Sequence, residues 1–386
     1  MAAVLDRSVS PARSFWLWLA LGAALLAAGL AGAYVMEHEG HIVTGMNNEI
    51  VWGMPHVFAI FLIVVASGVL NVASMATVFG QTHYKPWARF SALLSIAALA
   101  GGLMVLMLDL GRPERVVVAA THYNFKSVFA WNVFLYSGMF AFVALYLWMQ
   151  MQKRFNRYAR PAGIAAFVWR FVLTTGTGLI FAFLVARQAY ASALLPPLFI
   201  AMSLAWGMAV FVLAQAAVGG ADEQLRQRMG RLLGIFVALV LYLTAVYHLT
   251  NLYFARQTAF ERFILLDGGV YPLLFWVGYV LVGSVLPMAL VWRGSVGATA
   301  LNVAAACTVA GAFAALYVFI IGGQAFPLEI FPGYEVASSF RDGAIAPYAP
   351  SVWEVLLGLG GVAAAFVIAL VGQRLFDVVP RAAAGP

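Results

Sequence analysis

Two ionisable side chains lie at the ends of long apolar segments, and a third lies close to one of them in the sequence. His56 lies at the start of one such segment, Asp109 ends another, and Arg112 comes three residues later. An ionisable group placed in or beside a membrane-length apolar segment is a functional candidate, because leaving it unpaired in hydrocarbon is costly. Histidine suits proton transfer near neutral pH. Asp109 and Arg112 either orient His56 and relay its proton, or they only form a charge pair with each other at the end of a helix.

The polar loop that follows offers what a quinone head group requires. His122, Asn124 and Lys126 supply hydrogen-bond donors and a cation, and aromatic rings surround them at Tyr123, Phe125 and Trp131. A quinone needs donors for its two carbonyl oxygens, flat apolar walls and a protonatable neighbour. Asn124 and Lys126 would stabilise the charged form. The aromatic residues are equally typical of the belt at a membrane–water interface.

A second histidine, His248, shares a helical face with Thr244 and Asn251. Together with His56 it raises the possibility of one b-type haem, which needs two axial ligands facing each other across a bundle. The alternative is a packed, hydrogen-bonded histidine. Cys307 is the single cysteine, so the sequence has no ligand set for an iron–sulfur cluster, and any such cluster must belong to a partner.

The elements that must position these residues are membrane-spanning helices. The 386 residues are 64% hydrophobic and 10% charged, which is too apolar for a soluble globule of this size. The fold class is therefore all-α integral membrane. Ten apolar runs reach the roughly 20 residues needed to cross a bilayer, and they cover 15–35, 51–78, 88–109, 127–150, 163–187, 195–217, 231–255, 271–292, 298–322 and 352–373.

The distribution of charge predicts the orientation. With a cytoplasmic N-terminus, fifteen of the 22 basic residues lie on the inner side and eleven of the 15 acidic residues on the outer side. Both termini are then cytoplasmic, in the cell inner membrane. The formal charge of +7 is a topology signal rather than a sign of nucleic-acid binding. The first run is predicted to be a retained anchor, because it is longer than the core of a cleaved signal.

Other features of the spans concern packing and docking. Trp52, His56, Ser67, Asn71 and Ser74 form one polar stripe on the second helix, which faces protein or water and either packs or conducts protons. Glycine clusters at 101–102, 176–178 and 358–361 indicate close helix contacts. The outer segments 36–50, 110–126 and 323–351 are long enough to dock another subunit, and the last is rich in proline and aromatic residues, among them Pro332, Gly333 and Phe340, with Trp353 just after it.

Three segments together resemble the NrfD/PsrC family of quinone-reactive membrane subunits of polysulfide-reductase-type complexes. They read TGMNNEIVWGMPH over residues 44–56, LDLGRPER over 108–115 and HYNFKS over 122–127. Within the family, the ten-helix layout is most similar to the DsrP-type subunits of sulfur-metabolising bacteria. The resemblance implies a quinone-site bundle over 51–187, a second bundle over 195–322, and flanking parts at 15–50 and 323–386.

The resemblance also implies roles for individual residues. His56 falls where family members place a histidine close to the quinone, with Asp109 and Arg112 nearby and Tyr136 as a further contact. The resulting prediction is a subunit that oxidises or reduces menaquinone or ubiquinone, exchanges electrons with a ferredoxin-like iron–sulfur subunit on the outer face, and is inactive without its partners. A secondary transporter, a haem-bearing cytochrome subunit and a passive anchor are the alternatives.

Overall fold

The computed structural model describes residues 13–219, 222–328, 331, 334 and 343–380. These residues include ten helices that are long and apolar enough to span a membrane, as predicted. The described residues contain no strand. The helices are α1 (Arg13–Glu39), α2 (Met54–Thr77), α3 (Thr82–Leu108), α4 (Val128–Met151), α5 (Lys153–Ala182), α6 (Leu195–Val218), α7 (Glu223–Tyr253), α8 (Val270–Val291), α9 (Ala298–Ala325) and α10 (Val352–Leu375).

The predicted number of helices is confirmed, and the main differences lie at helix ends. α5 begins ten residues earlier than predicted and α7 begins eight earlier, because charged residues at the membrane boundary continue the helix where an apolar run has already stopped. The helical turns of α2 are interrupted at Val69 and Leu70. In the segment 323–351, the predicted docking residues Pro332, Gly333 and Phe340 lie outside the described residues.

The helix contacts fall into two groups of four. α2 packs on α3, α4 packs on α3 and α5, and the same pattern recurs among α6, α7, α8 and α9. The two groups meet where α2 and α5 both pack on α6, and Gly68 of α2 lies against Gly207 of α6. A Cβ on Gly68 would lie 1.6 Å from the carbonyl oxygen of Ser203, so only glycine allows this approach.

α10 holds α1 against the first group of helices through glycine contacts. Gly360 meets the backbone of Gly29 on α1, and Gly361 meets Gly101 on α3. The predicted role of the 101–102 and 358–361 glycines in close packing is confirmed. The first turn of α10 is closed by a capping box between Ser351 and Glu354. The packing of these helices places the start of α2, the end of α3 and the start of α4 together at one end of the molecule.

Candidate functional site

His56 and Asp109 form a contact at the end of the first helix group. α2 begins at Met54 with Pro55 in its first turn, where a missing N–H costs nothing, and this places His56 next to the residue that follows α3. His56 Nδ1 lies 2.7 Å from Asp109 Oδ2, and the Asp109 side chain is 1% exposed. The two atoms are close but not aligned as a hydrogen bond, since neither has a hydrogen-bond partner among the described residues. Nε2 is therefore the ring nitrogen left for a ligand.

Aromatic rings fix the imidazole of His56 on its other side. The indole of Trp52 stacks on it with ring centroids 5.8 Å apart, and Phe181 of α5 meets Trp52 edge-on at 5.5 Å. Phe129 of α4 packs on the same indole at 6.2 Å. Trp52 and His56 thus form a stacked pair that rings from α4 and α5 hold in place, and stacked and edge-on arrangements are those in which aromatic rings attract one another.

A cavity of about 390 Å³ adjoins His56 and lies among α2, α3, α4 and α5. Its lining is mainly apolar, and its polar groups besides Trp52 and His56 are Asn132, Tyr136 and Ser137. Asn132 Nδ2 donates to the Val128 carbonyl at 3.1 Å. Asn132 Oδ1 is buried and has no hydrogen-bond partner among the described residues, so the cavity offers an unused acceptor.

The sequence matches the family model described as polysulphide reductase, NrfD, over residues 42–328. This chain belongs to the NrfD family. A relative from Archaeoglobus fulgidus, the Hdr-like menaquinol oxidoreductase integral membrane subunit, is 30% identical over 91% of this chain and 90% of its own length. A putative dimethyl sulfoxide reductase membrane subunit of Halobacterium salinarum is 26% identical, over 92% and 90%. A polypeptide of the polysulfide reductase of Wolinella succinogenes is also 26% identical, over 72% and 96%.

This NrfD-family protein is thus a multi-pass integral membrane protein similar to the membrane subunits of several multi-subunit reductases. These relatives are named for different reactions, which involve menaquinol, dimethyl sulfoxide and polysulfide. The relatives therefore have a similar membrane subunit in common, whereas the substrate in their names differs.

The structure brings together some of the predicted site residues of this NrfD-family protein and separates others. Trp52, His56 and Tyr136 line the cavity, and Asp109 pairs with His56. The remaining predicted residues, Arg112, His122, Asn124 and Lys126, do not line it.

The separated residues have local roles in the structure. The ion-pair partner of Asp109 is His56, and no ion pair joins Arg112 to a described residue. His122 contacts the neighbouring hydroxyl of Thr121 at 3.0 Å. Asn124 Oδ1 accepts from the backbone N–H of Lys126 at 3.0 Å and thereby closes the loop turn.

Gln324, at the end of α9, holds the backbone of Trp52 and was not predicted. Its Oε1 accepts from the N–H groups of Val51 and Trp52 at 3.1 and 3.0 Å, and its Nε2 donates to the Trp52 carbonyl at 2.9 Å. Arg187 extends this contact by donating to the carbonyls of Gln324 and Glu49 at 2.5 and 2.6 Å. The signal for Gln324 was an amide closing an otherwise apolar run, but its partners lie 272 and 273 positions away.

The predicted polar stripe of α2 faces protein. Asn71 Oδ1 accepts from the guanidinium of Arg170 on α5 at 2.8 Å, and the Ser67 hydroxyl donates to the Arg170 carbonyl at 3.2 Å. Ser74 donates to the Leu70 carbonyl one turn earlier. Arg170 is 3% exposed and its Nε has no partner among the described residues. The stripe therefore links two helices around a buried cation.

The second histidine has its own carboxylate in the second helix group. His248 Nδ1 lies 2.6 Å from Glu261 Oε2, and Asn251 donates to Glu261 Oε1 at 2.7 Å. Glu261 is fully buried, and these bonds anchor the short helix Thr258–Arg262 to α7. His248 lines a different cavity from His56, so the two imidazoles do not face each other across one bundle.

Proposed function

We propose that this protein is the quinone-reactive membrane subunit of a redox complex in the cell inner membrane. The observation that carries the proposal is the apolar cavity beside a histidine whose Nδ1 is occupied by a buried carboxylate. A lipid-soluble ring with two polar oxygens fits a cavity of this chemistry, because most of its wall is apolar and its few polar groups converge. The names of two relatives, a menaquinol oxidoreductase and a menaquinone reductase, favour menaquinone over ubiquinone.

In the proposed site, His56 handles a proton of the bound head group. Oxidation of a quinol releases two protons and two electrons, so a proton acceptor must lie within hydrogen-bond reach of a ring oxygen. The carboxylate of Asp109 stabilises the imidazolium that forms when His56 takes up a proton. Asn132 Oδ1 supplies a second acceptor for a hydroxyl, while Trp52 and Phe129 hold the ring plane.

The electrons leave or arrive through a partner on the outer face. Cys307, the only cysteine, lies within α9, so iron–sulfur clusters belong to another subunit in this proposal. Apolar side chains are exposed around the outer end of the first helix group, at Ile42, Leu110, Val117, Val118 and Phe125. A surface of this kind suits docking of a ferredoxin-like subunit beside the cavity. A DsrP-type role in sulfur metabolism is the specific form of the proposal.

Substitution of the pair in the assembled complex tests the assignment. His56→Gln removes the proton acceptor and is expected to lower quinol-linked electron transfer at least about a hundredfold, the usual contribution of a general acid or base. Asp109→Asn, which keeps the size of the side chain, is expected to have a smaller effect in the same direction. The measurement is the oxidation rate of a quinol analogue by the purified complex.

His83→Gln is the matched control, because His83 is exposed on the opposite face and lies outside the cavity. It is expected to retain the wild-type rate. Retention of that rate by both His56→Gln and Asp109→Asn would show that the quinone is handled elsewhere.

A further inference from the structure

A wide cleft opens on the face opposite His56. It has a volume of about 820 Å³ and lies among the end of α2, the start of α3, the junction between α4 and α5, and residues 377–380 after α10. These are all ends of membrane-spanning helices, so the cleft lies at the level of lipid head groups. It shares no lining residue with the cavity beside His56.

The charged side chains that line the cleft are mostly cationic. Lys85, Arg89 and Arg160 oppose one carboxylate, Asp377. The guanidinium of Arg89 donates to the carbonyls of Gln150 and Asp377 at 2.7 and 3.1 Å, which fixes it in the wall of the cleft. Its Nη1 lies 3.9 Å from the Asp377 carboxylate.

The other two cations have no such partner. Neither Lys85 nor Arg160 forms an ion pair or a hydrogen bond with any described side chain, and both are exposed. Two unneutralised cations beside a fixed guanidinium attract an anion that lies between them.

Apolar groups complete the cleft. Phe79 is 61% exposed at its edge, and Val378 and Val379 contribute to the opposite wall. A soluble anion would gain nothing from these groups. A ligand with a negative head and hydrocarbon chains would contact both the cations and the apolar edge at the same depth.

We infer that this cleft binds an anionic phospholipid, with the phosphate held by Lys85, Arg89 and Arg160 and the acyl chains passing Phe79. Basic pockets between helices at a membrane surface recognise such head groups. The bound lipid would join α2, α3, α5 and the segment after α10 at the end of the protein remote from the quinone cavity. This inference does not depend on the redox function.

Native mass spectrometry of the full-length protein in nanodiscs provides the test. Wild-type protein released from discs containing phosphatidylglycerol and phosphatidylcholine is expected to retain phosphatidylglycerol. The double variant Lys85→Gln/Arg160→Gln is expected to bind it about 25-fold more weakly, since each cation near the surface contributes a factor of about five. Thermal unfolding establishes that the variant is folded, and the remaining Arg89 contacts keep the wall in place.

Arg231→Gln/Arg293→Gln is the matched control. It removes two exposed cations from the same face outside the cleft and is expected to retain the lipid. An equal loss in both double variants would show general surface attraction and overturn the proposal. Equal retention of phosphatidylcholine by the wild type would overturn it too, as would binding of inorganic phosphate alone with the same dependence on Lys85 and Arg160.

Discussion

Two atoms in the proposed quinone cavity, Asn132 Oδ1 and His56 Nε2, are suited to accept a hydrogen bond. Asn132 Nδ2 donates to the Val128 carbonyl, whereas Oδ1 has no hydrogen-bond partner among the described residues. The carboxylate of Asp109 beside Nδ1 of His56 favours a proton on that nitrogen, which leaves Nε2 as an acceptor. Quinol hydroxyls donate hydrogen bonds, whereas quinone carbonyls only accept them. These two atoms can therefore accept from the hydroxyls of a bound quinol.

Asn132→Leu tests this match. Loss of the acceptor is expected to raise KM for a quinol analogue about 5- to 10-fold, the effect of one hydrogen bond in a closed site, and to alter binding of the oxidised form less. Thermal stability should change little, because the substitution removes one local hydrogen bond, from Nδ2 to the Val128 carbonyl, and one buried oxygen that lacks a partner. A fall in stability with unchanged KM would indicate a structural role for Asn132 instead.

Among the secondary-structure elements, the start of α10 organises the loop that precedes α2. Glu354 is fully buried, and its carboxylate accepts from the N–H groups of Gly45 and Ser351 at 2.8 and 2.7 Å and from the Tyr348 hydroxyl at 2.7 Å. Tyr348 in turn accepts from the Met54 N–H at 2.6 Å, at the first residue of α2. One carboxylate thus fixes the approach of the polypeptide to Trp52 and His56.

Glu354→Ala is expected to lower the stability of the protein by about 3 kcal/mol, because it leaves two partly buried N–H groups and a phenol without their acceptor. Thermal unfolding in detergent measures the loss. Limited proteolysis should show cleavage near residues 44–50 that the wild type resists. Glu114→Ala, at an exposed carboxylate outside any ion pair with a described residue, is the control and is expected to unfold like the wild type.

The same cluster should depend on pH in one direction. Burial raises the pKa of Tyr348 above its ordinary value of 10.0, and the hydrogen bond to the Glu354 carboxylate raises the pKa further. A raised pKa means that the stabilisation is complete below about pH 10 and is lost as pH rises above it. Tyr348→Phe should lessen the decline in unfolding temperature at alkaline pH, whereas the unfolding temperature near neutral pH should not vary with pH in either protein.

The placement of the protein in the bilayer follows from charge along the entire sequence. Basic residues concentrate on one face, at the end of α2, the end of α4, the start of α7 and the end of α10, and acidic residues concentrate on the other face. This distribution predicts cytoplasmic termini and a proposed quinone cavity at the outer face. Because the proposed iron–sulfur partner binds at the outer face, this orientation decides which compartment supplies it.

Single cysteines in a Cys307→Ser background test the orientation. Glu114→Cys lies on the predicted outer face and Gln81→Cys on the predicted inner face, and both positions are exposed. A membrane-impermeant maleimide is expected to label Glu114→Cys in spheroplasts and Gln81→Cys only after lysis. The reverse pattern would place the quinone cavity at the cytoplasmic face.

Ten spans, the glycine contacts of α10 and the common level of His56 and Asp109 were predictable from the sequence, because apolar length and local spacing act within one helix. The sequence could not show that Asp109 pairs with His56 rather than Arg112, that Asn132 faces the cavity, or that Gln324 holds Trp52 from the second helix group. In helices that are apolar on nearly every side, periodicity does not tell which face meets which neighbour. Those pairings join residues far apart in the sequence, and only the packing of the helices against one another brings them into contact.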